Sequence, residues 1–227
     1  GLVGSEMCIR DRVEGGSIRG RYSFIGLKPD LIWRCFGNRA EINRRARFES
    51  DAFEPCDAGA LESLRDLLAE SAIDLPDDMP PMAAGLVGYM SYDMVRLMER
   101  LPDNNPRAID APDGLFIRPT VIAVFDSIED LVTVITPVRA EAGVDAAAAY
   151  RHARERLADI VTDFGRSLPY RREAPADTVH LPEATSNMTP DEFTAMVERA
   201  KEYILAGDVF QVVLSQRFEV PFTLPPL

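Results

Sequence analysis

The chain has 227 residues and a formal net charge of −12 at pH 7, with an isoelectric point near 4.7. This acidic balance argues against nucleic acid and against an anionic membrane surface as partners. No run of about 18 apolar residues is present, so no segment is expected to span a membrane. The three cysteines, Cys8, Cys35 and Cys56, lack metal-like spacing, which predicts unpaired thiols in a reducing cytoplasm.

The first part of the chain is predicted to form strands. Residues 1–12 show no period and begin without Met, so we expect a non-native leader there. A strand around Tyr22 precedes a turn at residues 28–30, and residues 31–36 form a second strand. A tight turn at residues 37–38 then leads into a hairpin partner.

The middle of the chain alternates helices with strands. Asp57 is predicted to cap a helix that ends near Ile73. Residues 82–89 then predict a buried strand, in which the Gly85-x-x-Gly88 spacing favours close packing over a dinucleotide motif. A helix is expected over residues 92–100, where Pro102 lies just beyond its end.

The second half begins with two β-branched segments, residues 115–125 and 131–135, which predict strands joined by an acidic turn. Residues 142–164 predict a helix, and residues 165–188 predict a linker or long surface loop.

The last segment has the clearest local pattern. Thr189, Pro190 and Glu192 predict a capping box with proline in the first helical turn, and Gly207 is placed to end the helix. Residues 209–220 then predict a strand buried on both faces. Because such a strand needs sheet neighbours, we expect the chain to be truncated at its carboxyl end.

This order of elements favours an α+β fold over a doubly wound sheet. The predicted organisation is a leader at residues 1–12, a first domain at residues 13–164, a linker at residues 165–188 and the start of a second domain at residues 189–227.

Few residues suggest chemistry by themselves. His152 and His180 lack triad-like surroundings and are predicted to lie at the surface. Tyr89, Tyr92 and Asp93 could bind a ligand, but a buried hydrogen-bonded corner is the favoured interpretation.

Arg19 and Arg21 flank Gly20 on the first predicted strand. Arginine pairs bind carboxylates and phosphates well, although an exposed strand face also carries such residues. Both interpretations stay open from the residues alone.

Three separated segments together resemble the anthranilate synthase component I family. They are VEGGSIRGRYSFIG at residues 13–26, GLVGYMSYDMVRLMERLP at residues 85–102, and AGDVFQVVLSQRF at residues 206–218. The third segment is shared by other chorismate-using enzymes, whereas the second is more particular to this family. The resemblance implies an antiparallel β-sandwich surrounded by helices.

The resemblance also implies a function for the complete protein: converting chorismate and glutamine-derived ammonia into anthranilate and pyruvate for tryptophan biosynthesis. The implied partner is a glutamine amidotransferase, anthranilate synthase component II, and the implied cofactor is Mg²⁺. The family's catalytic and metal-binding residues lie after the strand at residues 209–220. No catalytic or metal residue is therefore assigned, and this amino-terminal fragment is expected to be inactive.

The implied inhibitor is L-tryptophan, and Arg21 and Ser23 match positions that the family places near its pocket. The family has Glu and Ser just before the first segment, where this chain has Asp11 and Arg12. A foreign leader joined at Val13 explains that departure.

Two other functions stay open. One is component I of aminodeoxychorismate synthase in folate synthesis, which the second segment argues against. The other is a non-catalytic module that senses tryptophan or docks the partner. A standalone α+β binding protein is the remaining possibility.

Overall fold

A computed structural model describes the main chain of residues 8–10 and, with side chains, residues 21–104, 107, 109–139, 143–167 and 183–222. The fold divides into two compact units, residues 1–167 and residues 168–227. Within the described residues, no helix is long and apolar enough to cross a membrane.

Among its described residues, the first unit is built on a seven-stranded antiparallel sheet, which agrees with the predicted α+β class. Two long strands run through its centre and pair with each other along most of their length. In chain order the strands are β1 (Cys8–Arg10), β2 (Tyr22–Phe36), β3 (Arg39–Asn43), β4 (Glu54–Pro55), β5 (Val87–Met90), β6 (Gly114–Asp126) and β7 (Leu131–Ile135).

A bulge divides β2, and the turn predicted at residues 28–30 is wrong. The register against β6 shifts between Pro29 and Leu31, and Lys28 has a positive φ of 52°. Proline cannot donate a ladder hydrogen bond, so the chain passes Pro29 through an irregularity without reversing direction. The Thr120 hydroxyl donates to the Lys28 carbonyl at 2.6 Å and holds the bulge.

The bulge separates two hydrophobic cores. Beyond it, helix α1 (Ala60–Ser71) packs on β2 through the first core, where Trp33 is fully buried and donates from Nε1 to Ser63 Oγ at 3.1 Å. Before it, helix α2 (Ala146–Phe164) places Ile160 against Leu27 and Val121 in the second core.

The start of α1 differs from the prediction. The N-cap is Gly59, not Asp57, and no side chain at the cap itself accepts a hydrogen bond. Asn38 supplies the acceptor instead, since its Oδ1 lies 3.0 Å from the Ala60 nitrogen. Asn38 belongs to the predicted tight turn, which is confirmed by a φ of 56° at Gly37.

The buried strand predicted over residues 82–89 is wrong, because β5 covers only Val87–Met90 and is mostly exposed at the edge of the described sheet. Close packing at Gly88 is confirmed. A Cβ on this residue would collide with the Leu115 carbonyl oxygen and would lie 2.7 Å from Phe116 Cα. The helix predicted over residues 92–100 is shorter, a 3₁₀ helix over Tyr92–Leu97.

The two strands and the turn predicted after residue 114 are confirmed as β6, β7 and the turn between them. The following helix was predicted from residue 142, but α2 begins at Ala146, where the Asp145 side chain accepts from the Ala148 nitrogen. Residues 140–142 lie outside the described part.

The second unit contains helix α3 (Pro190–Ala206) and the short pair β8 (Thr185–Ser186) and β9 (Phe218–Glu219). The capping box of Thr189 and Glu192 is confirmed, and Gly207 ends the helix with a φ of 82°. The strand predicted over residues 209–220 is wrong, because only Phe218–Glu219 finds a ladder partner among the described residues.

Candidate functional site

Arg21 lies where β2 begins, and its side chain turns toward the β6–β7 turn. Its Nε lies 2.9 Å from both carboxylate oxygens of Asp126, and its Nη2 lies 2.6 Å from Oδ2. Glu129 Oε1 is 3.6 Å from the same Nη2. The guanidinium therefore has one close acidic partner and a second within ion-pair range.

The Asp126 carboxylate also builds the turn that carries it. Its Oδ1 accepts from the backbone nitrogens of Ile128 at 2.9 Å and Glu129 at 3.2 Å. In the other direction, the Arg21 carbonyl accepts from the nitrogen and the hydroxyl of Ser127. The turn and the start of β2 are thus joined through both main chain and side chains.

These contacts lower the pKa of Asp126 from 3.8 to about 2, and the hydrogen bond from Arg21 is the main cause. The same contact raises the pKa of Arg21. A carboxylate that accepts several hydrogen bonds favours its charged form, so the pair stays ionised at neutral pH.

Ser23 lies two residues further along β2, opposite Phe125 of β6. Its side chain is partly exposed, and its hydroxyl makes no hydrogen bond to any described residue. The structure therefore places the two residues predicted for an inhibitor site at the same end of β2, with Arg21 already engaged and Ser23 available. Arg19 lies outside the described residues.

Tyr89, Tyr92 and Asp93 do not form the buried corner that was predicted. All three are exposed, and Tyr92 is 84% exposed. The Tyr89 hydroxyl donates to the Pro112 carbonyl at 2.8 Å, whereas Asp93 pairs with Arg96. The prediction failed because β5 and the 3₁₀ helix lie at the edge of the described sheet.

Tyr89 and Asp93, but not Tyr92, line an open cleft of about 840 Å³. Asp113 also lines this cleft. Its carboxylate accepts hydrogen bonds from Gly37 N at 2.6 Å and from Arg107 Nη2 at 3.1 Å. Its carbonyl accepts from the Ser91 nitrogen. The Ser91 hydroxyl is buried without a hydrogen-bond partner in the described part of the chain.

A charged network lies beside the bulge of β2, and sequence reasoning missed it. Arg118 of β6 pairs with Asp30 through Nε at 2.8 Å and Nη2 at 3.1 Å, and its Nη1 approaches Glu70 at 3.4 Å. Glu70 in turn accepts both 2.7 Å hydrogen bonds of Arg44. The available signal was a single basic residue inside the largely apolar strand β6.

Arg139 adds a third guanidinium near this network. Its Nε and Nη2 are buried and have no hydrogen-bond partner among the described residues. Burial is the main cause that lowers the pKa of Arg139, and the charge of Arg118 adds to it. Arg139 is therefore a poorly compensated charge.

Other reactive side chains are scattered. His152 is exposed, as predicted, and His180 lies outside the described residues. Cys35 and Cys56 are free thiols whose pKa values are raised by burial. Across the described ranges, no three His, Cys, Asp or Glu side chains are grouped so that they could hold a metal ion.

The sequence was compared with protein families and curated proteins. The family model described as chorismate binding enzyme matches residues 28–227. Anthranilate synthase component 1 of Cereibacter sphaeroides is 49% identical over 216 residues, which cover 95% of this chain and 43% of that protein. The protein of the same name from Synechocystis sp. is 34% identical, with 95% and 43% coverage.

The fold also resembles a solved structure, the crystal structure of anthranilate synthase component I from Streptococcus pneumoniae TIGR4. The TM-score is 0.69 at 22% sequence identity, over 95% of this chain and 45% of that one. The chain thus spans less than half the length of the relatives that it matches. Because the family model matches most of its residues, the chain belongs to the family of chorismate binding enzymes, and its curated relatives bear the name anthranilate synthase component 1.

Proposed function

We propose that this chain is part of the large subunit of an anthranilate synthase, a lyase of tryptophan biosynthesis in the cytoplasm. The observation that carries the proposal is the 49% identity with the Cereibacter sphaeroides protein across 95% of the chain. The segment over residues 89–100 supports it, because this segment also carries the resemblance that is most particular to the family.

In the proposed reaction, ammonia forms a bond to ring carbon 2 of chorismate while the 4-hydroxyl leaves. One proton of the ammonia departs with it as water. Elimination of pyruvate then aromatises the ring to anthranilate. An amidotransferase partner, component II, supplies the ammonia from glutamine.

Mg²⁺ is the cofactor that the family resemblance suggests, and it would neutralise charge on the substrate carboxylate. The described residues do not fit such a site, because they contain no suitable group of His, Cys, Asp or Glu side chains. No step of the reaction is therefore assigned to residues of this chain.

The proposed contribution of this chain is architecture and regulation. Its antiparallel sheet would form one layer of a helix-covered β-sandwich, and a second domain would begin at residue 189 after a linker over residues 165–188. Arg21 and Ser23 would bind the inhibitor L-tryptophan. In support, Arg21 retains N–H groups that Asp126 does not occupy, and the Ser23 hydroxyl has no partner among the described residues.

A chimaera tests the proposal. The chain replaces the matching 216-residue region of the Cereibacter sphaeroides protein, and the product is assayed with chorismate, ammonium and Mg²⁺. We expect fluorescent anthranilate and growth of a tryptophan auxotroph. The unmodified relative is the positive control, and the 227-residue chain alone, which should form no anthranilate, is the negative control.

The same assay separates the alternatives. Formation of 4-amino-4-deoxychorismate instead of anthranilate would assign the chain to folate synthesis. A folded chimaera that binds tryptophan but forms neither product would favour a non-catalytic sensing or docking module.

A further inference from the structure

The guanidinium of Arg21 has two edges with different surroundings. Asp126 occupies the edge formed by Nε and Nη2, through contacts of 2.6 to 2.9 Å. Nη1 makes no hydrogen bond to any described residue, and Nη2 keeps a second N–H. The Arg21 side chain is 32% exposed whereas that of Asp126 is 12% exposed. The Nη1–Nη2 edge thus carries N–H groups that make no hydrogen bond to a described residue, with Glu129 Oε1 the nearest acidic oxygen at 3.6 Å from Nη2.

A planar guanidinium binds a carboxylate best through two parallel N–H groups on one edge. An arginine side chain at a protein surface samples many rotamers, and this freedom lowers its affinity for a ligand. Asp126 restricts this freedom because its carboxylate accepts from both Nε and Nη2, which fixes the plane of the guanidinium.

The turn that carries Asp126 is itself well fixed. The same carboxylate accepts from the nitrogens of Ile128 and Glu129, and Ser127 donates twice to the Arg21 carbonyl. The orientation of Arg21 is therefore set by the β6–β7 turn rather than by β2 alone.

Charge restricts the ligand further. Asp126 and Glu129 together exceed the single positive charge of Arg21, so the local net charge is negative. A dianion such as a dicarboxylate meets repulsion here, whereas a zwitterion brings its own positive charge to Glu129.

We propose that Asp126 is a positioning residue of the effector site: it holds the Nε edge of Arg21 so that the Nη1–Nη2 edge faces the carboxylate of an α-amino acid, and with Glu129 it disfavours dicarboxylates. This inference rests on the proposed inhibitor site at Arg21 and Ser23.

Nuclear magnetic resonance of the 227-residue chain, at a concentration where sedimentation velocity shows a monomer, tests the positioning. In the wild type, we expect the Nε–H of Arg21 to give a shifted signal that exchanges slowly with water, because it donates to Asp126. Asp126→Asn keeps an oxygen acceptor for the turn but removes the charge, and we expect the signal to move to the position of a free arginine. Glu129→Gln is the matched control and leaves it in place. A signal that Asp126→Asn does not move overturns the proposal.

Calorimetric titration of the same chain tests the ligand class. L-tryptophan should bind, and indole-3-propionate, tryptamine and chorismate should bind more weakly. Asp126→Asn should weaken L-tryptophan binding about tenfold or more, and Asp126→Glu should restore part of it. Glu129→Gln should lower the ratio of the affinity for L-tryptophan to the affinity for chorismate.

Equal binding of L-tryptophan by wild type and Asp126→Asn, or no binding by the wild type, contradicts the inference. Should Asp126→Asn fail to fold, as judged by Trp33 fluorescence, Arg21→Lys replaces it. Lysine keeps the positive charge but lacks a planar guanidinium that can bind Asp126 and a ligand carboxylate along different edges. Unchanged affinity of Arg21→Lys for L-tryptophan would therefore also contradict the inference. These outcomes are independent of anthranilate formation by the chimaera, which tests the proposed function itself.

Discussion

Two arginines, Arg118 and Arg139, interact electrostatically with the same two acidic residues, Asp30 and Glu70, but differ in their hydrogen bonds. Arg118 is 12% exposed and is paired with Asp30 and Glu70. The charge of Arg118 helps to lower the pKa of Arg139. The buried Nε and Nη2 of Arg139 have no acceptor among the described residues. Removing a paired charge leaves its partner uncompensated, whereas removing an unpaired one relieves a desolvation cost.

We therefore predict opposite results for the same substitution at these two sites. Arg118→Met should lower the free energy of unfolding by about 2 kcal/mol, less than for a fully buried pair because Asp30 stays partly solvated. Arg139→Met should be neutral or stabilising. Trp33, the only tryptophan of the chain, reports urea unfolding of both variants. A larger loss for Arg139→Met would mean that Arg139 has an acceptor outside the described residues.

The ion pair of Asp126 predicts a dependence of stability on pH. The pKa of this carboxyl is lowered from 3.8 to about 2 in the folded chain, so its contribution is present above the unfolded value and is lost as pH falls through the folded one. The difference in unfolding free energy between wild type and Asp126→Asn should stay constant from about pH 7 to about pH 5. It should shrink between about pH 4 and pH 2, and a difference that already shrinks above pH 5 would contradict the assignment.

Helix α1 shows how an element can be completed by a distant residue. Its N-cap, Gly59, has no side chain, and the acceptor for the Ala60 nitrogen comes from Asn38, which lies 22 residues before Ala60. Asn38 also offers its carbonyl to the Ala60 nitrogen. The turn between β2 and β3 therefore fixes where the helix starts.

Asn38→Ala should lower the free energy of unfolding by about 1 kcal/mol, the usual value of a side-chain cap. Asp57→Ala is the matched control, because Asp57 precedes the helix but does not cap it, and it should change stability little. Asn38→Asp should retain most of the stability because its carboxylate oxygen still accepts. Equal losses for Asn38→Ala and Asp57→Ala in urea unfolding would show that the cap is not the cause.

The elements that the sequence predicted correctly are those whose causes are local. The capping box at Thr189, the glycine end at Gly207 and the turn after β6 each depend on residues within a few positions of one another. The errors involve distant partners. Asn38, and not Asp57, supplies the acceptor at the start of α1. Pro29 pairs with Pro119 beside a bulge in β2, where a turn was expected. For the candidate site, sequence resemblance located Arg21 and Ser23, but only the antiparallel register with β6 brings Asp126 to Arg21.

At the scale of the whole molecule, the two units differ in how well their apolar residues are covered. The first has two cores around β2 and β6. In the second, Phe210 is 96% exposed and Val213 is 82% exposed. Residues 209–215 have the sequence VFQVVLS, without charge or proline, and none of them has a ladder partner among the described residues. Such a segment is a template for pairing with another chain.

The 227-residue chain should therefore self-associate through this segment as its concentration rises. Val213→Lys places a charge in the segment and should raise the concentration at which association begins by about tenfold. Leu205→Lys is the matched control, because Leu205 is 88% exposed but lies in helix α3, where the main chain is already hydrogen bonded. Sedimentation velocity distinguishes the two variants. If Leu205→Lys disperses the chain and Val213→Lys does not, general apolar exposure drives association and the segment over residues 209–215 does not.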